Sequence, residues 1–446
     1  MSRSRFALSA LAAMLLAAAP SLQAVDLQSI PGTDTKLQVY GFVMVYGNAV
    51  FGATQAGSGS AASSLFYNTP ADFGAAGSTP LNEGGRQKGT FNFSIAPTRF
   101  GFASTTPSAS LGDISTKIEY DLNGGNDHLR LANIKVGGFT IGKAWSLWND
   151  LDAGADTVDW AGPIGSACYD TPRLALVSYS TSLDKKNSIA VSVEQNTGNG
   201  DGATEVSGTT ATTYAVTYPN ATPAGPGNPV IVATTGATAT AGSLTSKIPS
   251  FVAAYTYSDA WGHVALRGLA QNYSVFLPGS ATTGSTTFSK VAAAFQLSGD
   301  VKIAKDDLIW SVYNGNAVGQ YGTGIQSVYI NEATQTITSY KSTGWLAGYT
   351  HNWTDAVRSN LVVSGVSYSS DSAISTTNSA DGTDIKSMTN AFVNTIVKLS
   401  KTTELGFEYV YETAKGFGPN SATDTDYSTK SSVNDSKFEV AFTAHF

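Results

Sequence analysis

The chain has 446 residues, of which only 13% are charged and 42% are hydrophobic. A soluble protein carries about a quarter charged residues, and here Gly, Ser, Thr, Asn and Ala take their place. The formal charge of −7 argues against general nucleic-acid binding, which needs a basic surface. A lone cysteine, Cys168, rules out an internal disulfide.

In chain order, Arg3 and Arg5 precede an apolar stretch from Phe6 to Ala19, which Pro20 ends. Leu22-Gln23-Ala24 then offers a small residue for cleavage, so residues 1–24 read as a secretory signal peptide. Its removal would take the formal charge from −7 to −9, because Arg3 and Arg5 leave and no acid does. No later apolar run is long enough for a membrane helix. Residues 25–35 read as a short periplasmic segment, and from Lys36 to Phe446 the dominant pattern is alternation with a period of two.

That alternation predicts strands over 36–50, 90–105, 113–123, 127–137, 138–146, 173–182, 187–196, 249–258, 262–275, 288–299, 304–314, 341–350, 357–368, 387–400, 404–414 and 435–446. Leu37, Val39, Gly41, Val43 and Val45 share a face of the first. Ile114, Thr116, Ile118 and Tyr120 oppose Asp113, Ser115, Lys117, Glu119 and Asp121 in the third. Leu405, Phe407, Tyr409 and Tyr411 oppose Glu404, Gly406, Glu408 and Glu412, with Val410 breaking the rhythm. In the last, Phe438, Val440, Phe442, Ala444 and Phe446 oppose Glu439, Ala441, Thr443 and His445. Connections largely alternate between long ones, about 51–89, 147–172, 197–248, 315–340, 369–386 and 415–434, and short ones such as Gly137–Gly138 and Asp184–Lys186. Many aromatics, among them Tyr46, Tyr120, Trp145, Tyr257, Trp261, Trp345 and Trp353, stand near strand ends, as interfacial girdles do.

A mid-strand charge needs water on its side while the apolar face needs a dry one. A closed sheet with lipid outside and a wet lumen inside satisfies both along its whole wall. The expected fold is therefore all-β: a transmembrane antiparallel β-barrel of about sixteen strands over 36–446, with short periplasmic turns and long external loops, in a Gram-negative outer membrane. The function expected of it is passive diffusion of small hydrophilic solutes. An adhesin or ligand-binding surface protein working through long loops such as 197–248 is the alternative.

Residues 97–179 resemble the DcaP-type trimeric outer-membrane porins of Gram-negative bacteria. The resemblance rests on Thr98-Arg99-Phe100-Gly101, Lys117-Ile118-Glu119-Tyr120-Asp121, Asn126, His128-Leu129-Arg130-Leu131 and Ile141-Gly142-Lys143-Ala144-Trp145-Ser146. Asp150, Asp152, Thr157, Asp159, Gly162-Pro163 and Thr171-Pro172-Arg173 extend it, and Ile30-Pro31-Gly32-Thr33 before Tyr40-Gly41-Phe42 is also similar. The resemblance implies a homotrimer of sixteen-stranded channels, a third external loop folded into the pore, and small anionic solutes, notably dicarboxylates. Two departures stand out. Ala132 replaces a second basic residue of the family pattern, and residues 25–35 leave no room for the coiled-coil segment that often precedes the barrel.

Charge on the lipid face at mid-depth costs about 2–4 kcal/mol. Arg99, Lys117, Arg130, Lys143 and Arg173 are therefore expected on the lumen wall with Glu119 and Asp121, either selecting solutes or forming structural ion pairs. The loop 147–172 is the expected constriction, with Asp150, Asp152, Asp156 and Asp159 facing basic wall residues across the pore. Its acids match no EF-hand spacing, so no metal is assigned. No G-x-S-x-G, H-E-x-x-H or P-loop motif suggests an enzyme, and no cofactor is expected. One strand resists a simple phase: turning Arg130 inward also turns Ile134 and Val136 inward. Either a bulge near Ala132–Asn133 resets the phase, or that wall faces a neighbouring protomer.

Overall fold

A chain that alternates apolar and polar residues with a period of two, punctuated by turn residues, can satisfy its backbone in lipid only by closing a sheet on itself. The computed structural model shows that closure. It describes residues 28–31, 33–51, 54–55, 86–87, 91–122, 128–160, 162–163, 172–196, 214–217, 230–233, 243–245, 248–277, 285–316, 318, 321, 328–331, 335–369, 385–416 and 432–446. The signal-peptide reading of 1–24, Cys168 and most of 197–248 lie outside the described residues.

Sixteen long strands form the wall: β1 Lys36–Val50, β2 Arg99–Ser108, β3 Gly112–Asp121, β4 His128–Val136, β5 Phe139–Trp145, β6 Arg173–Ser182, β7 Asn187–Glu194, β8 Ser250–Asp259, β9 Gly262–Leu277, β10 Thr286–Ile303, β11 Asp306–Asn316, β12 Lys341–Asn352, β13 Val357–Ser369, β14 Ile385–Lys398, β15 Thr403–Gly416 and β16 Ser432–His445. Each pairs antiparallel with the next, and β16 returns to β1 from Phe42↔His445 to Val50↔Lys437. The short turns expected from sequence are present. Gly137 and Gly138, at φ 55° and 86°, make the two-residue hairpin between β4 and β5, a turn whose backbone favours glycine. At the next turn the Asp184 carboxylate accepts the N–H groups of Lys186 (2.7 Å) and Asn187 (2.9 Å).

Three local features differ from the sequence reading. The strand expected over 90–105 is broken at residues 95–98, where Pro97 has no N–H to give. The Thr98 hydroxyl covers the gap, accepting from Met44 N–H (3.1 Å) and donating to Met44 C=O (3.3 Å). The phase of β4 is reset by a bulge, and it lies at Arg130 rather than at Ala132–Asn133: Glu119 pairs with Leu131, but Tyr120 pairs with Leu129. Ile134 consequently faces outward opposite Thr116, while Asn133 is buried. The inner surface is also less uniformly polar than a simple wet lumen. Val410 points inward and is fully buried against Ala155, Leu346, Val362 and Phe392. Its break in the rhythm marks a wall position covered by the loop after β5.

Outward residues are large, apolar and exposed, including Phe102, Ile141, Val191, Phe251, Val291 and Phe295, the last 68% exposed. This is the reverse of a water-soluble core and fits a lipid-facing band.

Candidate functional site

The site is built where the connection between β5 and β6 leaves the wall and crosses the lumen. β5 has only seven residues, so the chain departs early and enters the barrel at Ser146. There Glu194 on β7 accepts the Ser146 hydroxyl (2.8 Å) and the Leu147 N–H (2.9 Å), fixing the entry. A short 3-10 turn, Leu151–Ala153, follows.

Three of the four expected acids then pin the loop to the far wall. Asp150 accepts from Arg267 (2.9 Å) and His263 (3.0 Å) on β9 and from Ser298 (2.5 Å) on β10. His263 is bonded on its other nitrogen to Asp300. Asp156 pairs with Arg358 on β13 (2.6 Å), which also binds Glu404 on β15 (2.9 Å). Asp159 pairs with Lys437 on β16 (2.7 Å), and both are completely buried. Lys437 also reaches Glu439 (2.6 Å), whose carboxylate takes the Tyr46 hydroxyl. Glu408 accepts the N–H groups of Val158 (3.1 Å) and Asp159 (2.7 Å), and Asn394 donates to the Asp156 carbonyl (2.8 Å). Asp152 alone stays exposed.

Burial raises the cost of charge on Asp150, but the His263 hydrogen bond and the Arg267 charge outweigh it. They hold the carboxyl well below the usual range. Apolar contacts support the same path: Val158 packs with Met44, Tyr46, Ile396 and Ala441, and Trp148 with Leu174, Val252, Leu269 and Tyr313. The loop is therefore fastened to β7, β9, β13 and β16 and also packs on β1.

On β1–β4 the structure gathers five of the seven expected wall residues. Arg130 binds Glu119 (3.1 Å) and Asp121 (2.5 Å), and His128 binds Asp121 (2.7 Å). Arg99 (3.6 Å) and Lys117 (3.8 Å) both approach Glu119, and Tyr40 donates to it (3.1 Å). The acids lie underneath, with side chains 7% and 2% exposed, while Lys117 keeps 42% and Arg99 30%. On this side the bases are the more exposed charges.

Lys143 and Arg173 adjoin this group through Trp145, over which Arg130 also lies at 5.9 Å, but differ from it in phase. Lys143 pairs with Ala175 and Ile141 with Val177, so Lys143 and Arg173 share the outward phase of Ile141 and Val177. Arg173 lies over the Trp145 ring at 4.7 Å, and Lys143 donates to the Leu129 carbonyl (2.7 Å). The expected lumen positions are corrected to the outer face, because the bulge at Arg130 puts that residue and its β5 neighbours in different phases. The bases that hold the loop, His263, Arg267, Arg358 and Lys437, were not singled out from sequence. The available signal was weak: each sits on a strand in the inward phase, Arg267 and Lys437 within it and His263 and Arg358 near its start. Among the described residues no group of His, Cys, Asp and Glu is arranged to hold a metal ion.

A closed sixteen-stranded antiparallel barrel with a loop folded into its lumen is the architecture of outer-membrane porins. No family model and no curated protein matches the sequence. Among solved structures, the fold is similar to the outer membrane channel DcaP of Acinetobacter baumannii. The TM-score is 0.67 at 17% identity, covering 95% of this chain and all of that one. Outer-membrane expressed OmpT of Vibrio cholerae is more distant, with a TM-score of 0.50 at 11% identity over 94% of this chain and all of that one.

Proposed function

We propose that the protein is an outer-membrane porin through which small hydrophilic solutes diffuse passively, with a preference for small anions such as dicarboxylates. The observation that carries the preference is the layering of charge on β2–β4. Glu119 and Asp121 are spent on buried pairs, so Arg99 and Lys117 present the net positive charge to the passage. Two of the loop acids, Asp150 and Asp159, are buried in pairs and do not face a passing ion, so Asp152 is the loop acid left most open to set against the wall bases. Selectivity in such a pore follows the sign of the lumen charge left exposed.

Lys143 and Arg173 support a homotrimer. Charges on the outer face suit a protein neighbour better than lipid tails, so the wall around β4–β6 is assigned to contact with further copies of the chain, and the apolar band elsewhere to outer-membrane lipid.

Planar-bilayer recording tests the reading. The purified protein should give discrete conductance steps with a reversal potential on the anion-selective side. Arg99→Gln with Lys117→Gln should move that potential towards cations. Absence of current from folded protein would overturn the channel and favour a surface-binding role. An unmoved potential would overturn the assignment of Arg99 and Lys117.

A further inference from the structure

A second connection also enters the barrel. The chain between β11 and β12 places Val318 and Tyr321 in the cluster that holds Trp148, and both are fully buried. Trp148 thus has a wall side, made by Val252, Leu269 and Tyr313, and a loop side, made by Val318 and Tyr321. Its ring meets Tyr313 at 6.4 Å and Tyr321 at 6.5 Å, edge-on in both cases. Further along, Val328–Asn331 pairs with Thr336–Ser339 as a hairpin. Val328 and Ile337 of that hairpin pack on Tyr273, Val275 and Ala292, which face inward on β9 and β10.

The first constriction loop is therefore held in two chemically different ways. Its later part is fastened by ion pairs at Asp150, Asp156 and Asp159. Its start at Trp148 makes no ion pair: the backbone is held by the Ser146 hydroxyl, while among the described residues the indole N–H has no partner, so the ring itself is kept in place by packing. Edge-on aromatic contacts and buried ring area are worth most when both rings are fully enclosed. Removing the Tyr321 ring opens one side of that enclosure without touching any ion pair.

We infer that the connection between β11 and β12 is a second constriction element, clamped onto the first through Tyr321 and Trp148, so that the two loops together set the size limit for solutes. The inference rests on the channel reading above and adds a determinant to it. Single-channel recording, with liposome swelling in neutral sugars of increasing size, tests it. Wild-type steps establish the channel independently, and their absence would defeat that reading before this one.

Given such steps, Tyr321→Ala should raise conductance about twofold and admit a larger sugar, because pore width governs both. Tyr321→Phe keeps the ring and should match wild type. Folding is read from the heat-dependent gel mobility of the barrel. A folded Tyr321→Ala protein with wild-type conductance and size limit would overturn the clamp. So would an equal rise in Tyr321→Phe, which would assign the effect to the hydroxyl. If Tyr321→Ala fails to fold, Tyr321→Leu replaces it: a smaller rise in the same direction supports the clamp, and none overturns it.

Discussion

The two sides of the lumen use the same kinds of residue to opposite ends. On β2–β4, acids and bases pair within the wall, and Arg99 and Lys117 stay partly exposed. On β9, β13 and β16, bases are met by acids from the inserted loop and lose their water. A buried ion pair is weak evidence for stability, yet breaking one strands its partner at a large cost. Under the proposed function the first side is the one that meets the solute, while the second fixes where the loop lies. Charge placed in a lumen does not by itself mean selectivity; what decides is whether a loop has claimed it.

That contrast can be broken most severely at Lys437. Lys437→Met would leave Asp159 and Glu439 buried without their cation, at a cost of about 3–5 kcal/mol. The expected result is a lower unfolding temperature in detergent and a noisy, enlarged current. Next is Arg358→Gln, which removes the partner of Asp156 and Glu404 at a partly exposed site. It should increase current noise and conductance with a smaller loss of stability. Wild-type noise in that variant would show that Asp156 is not an anchor.

At the Asp150 anchor, acid should have little effect over a wide range. The Asp150 carboxyl is depressed in the folded state, so its contribution is complete above the ordinary carboxylate value, about 3.9. It is lost only as pH falls through the lower folded value. As far as this anchor is concerned, conductance recorded between pH 7 and about 4 should not step upward. A step there that Asp150→Asn abolishes would contradict the pairing. The smallest effect is expected at Lys117→Gln. Its exposed pair with Glu119 is worth less than about 1 kcal/mol, so stability should hold while the reversal potential moves. Loss of stability with an unchanged potential would reverse the roles given to the two sides.

Much of the wall was legible in sequence because lipid and water impose a strict period on every strand. The number and order of the strands and the short turns followed from it, and the acids of 147–172 stood out as a cluster in one connection. What the period could not show is what happens inside. Val410 looked like an error in the alternation until Ala155 was found against it. The partners of Asp150, Asp156 and Asp159 lie more than a hundred residues further along the chain, and no local pattern links them. Lys143 and Arg173 were misplaced because one extra residue at Arg130 changes the phase locally, and a bulge leaves little trace in residue type.

The seam between β1 and β16 has a consequence for how the molecule is made. The lower half of β1, Lys36–Phe42, finds its partner early, in β2. Tyr46–Ala49 likewise pairs early, with Phe91–Ser94, but the opposite edge of β1 from Phe42 to Val50 borders β16, the last strand of the barrel. Until the C-terminal segment arrives, part of the first strand is an open edge, ready to pair with any extended chain nearby. Pairing of the first strand with the last is what removes that edge, so ring closure depends on the C-terminal strand.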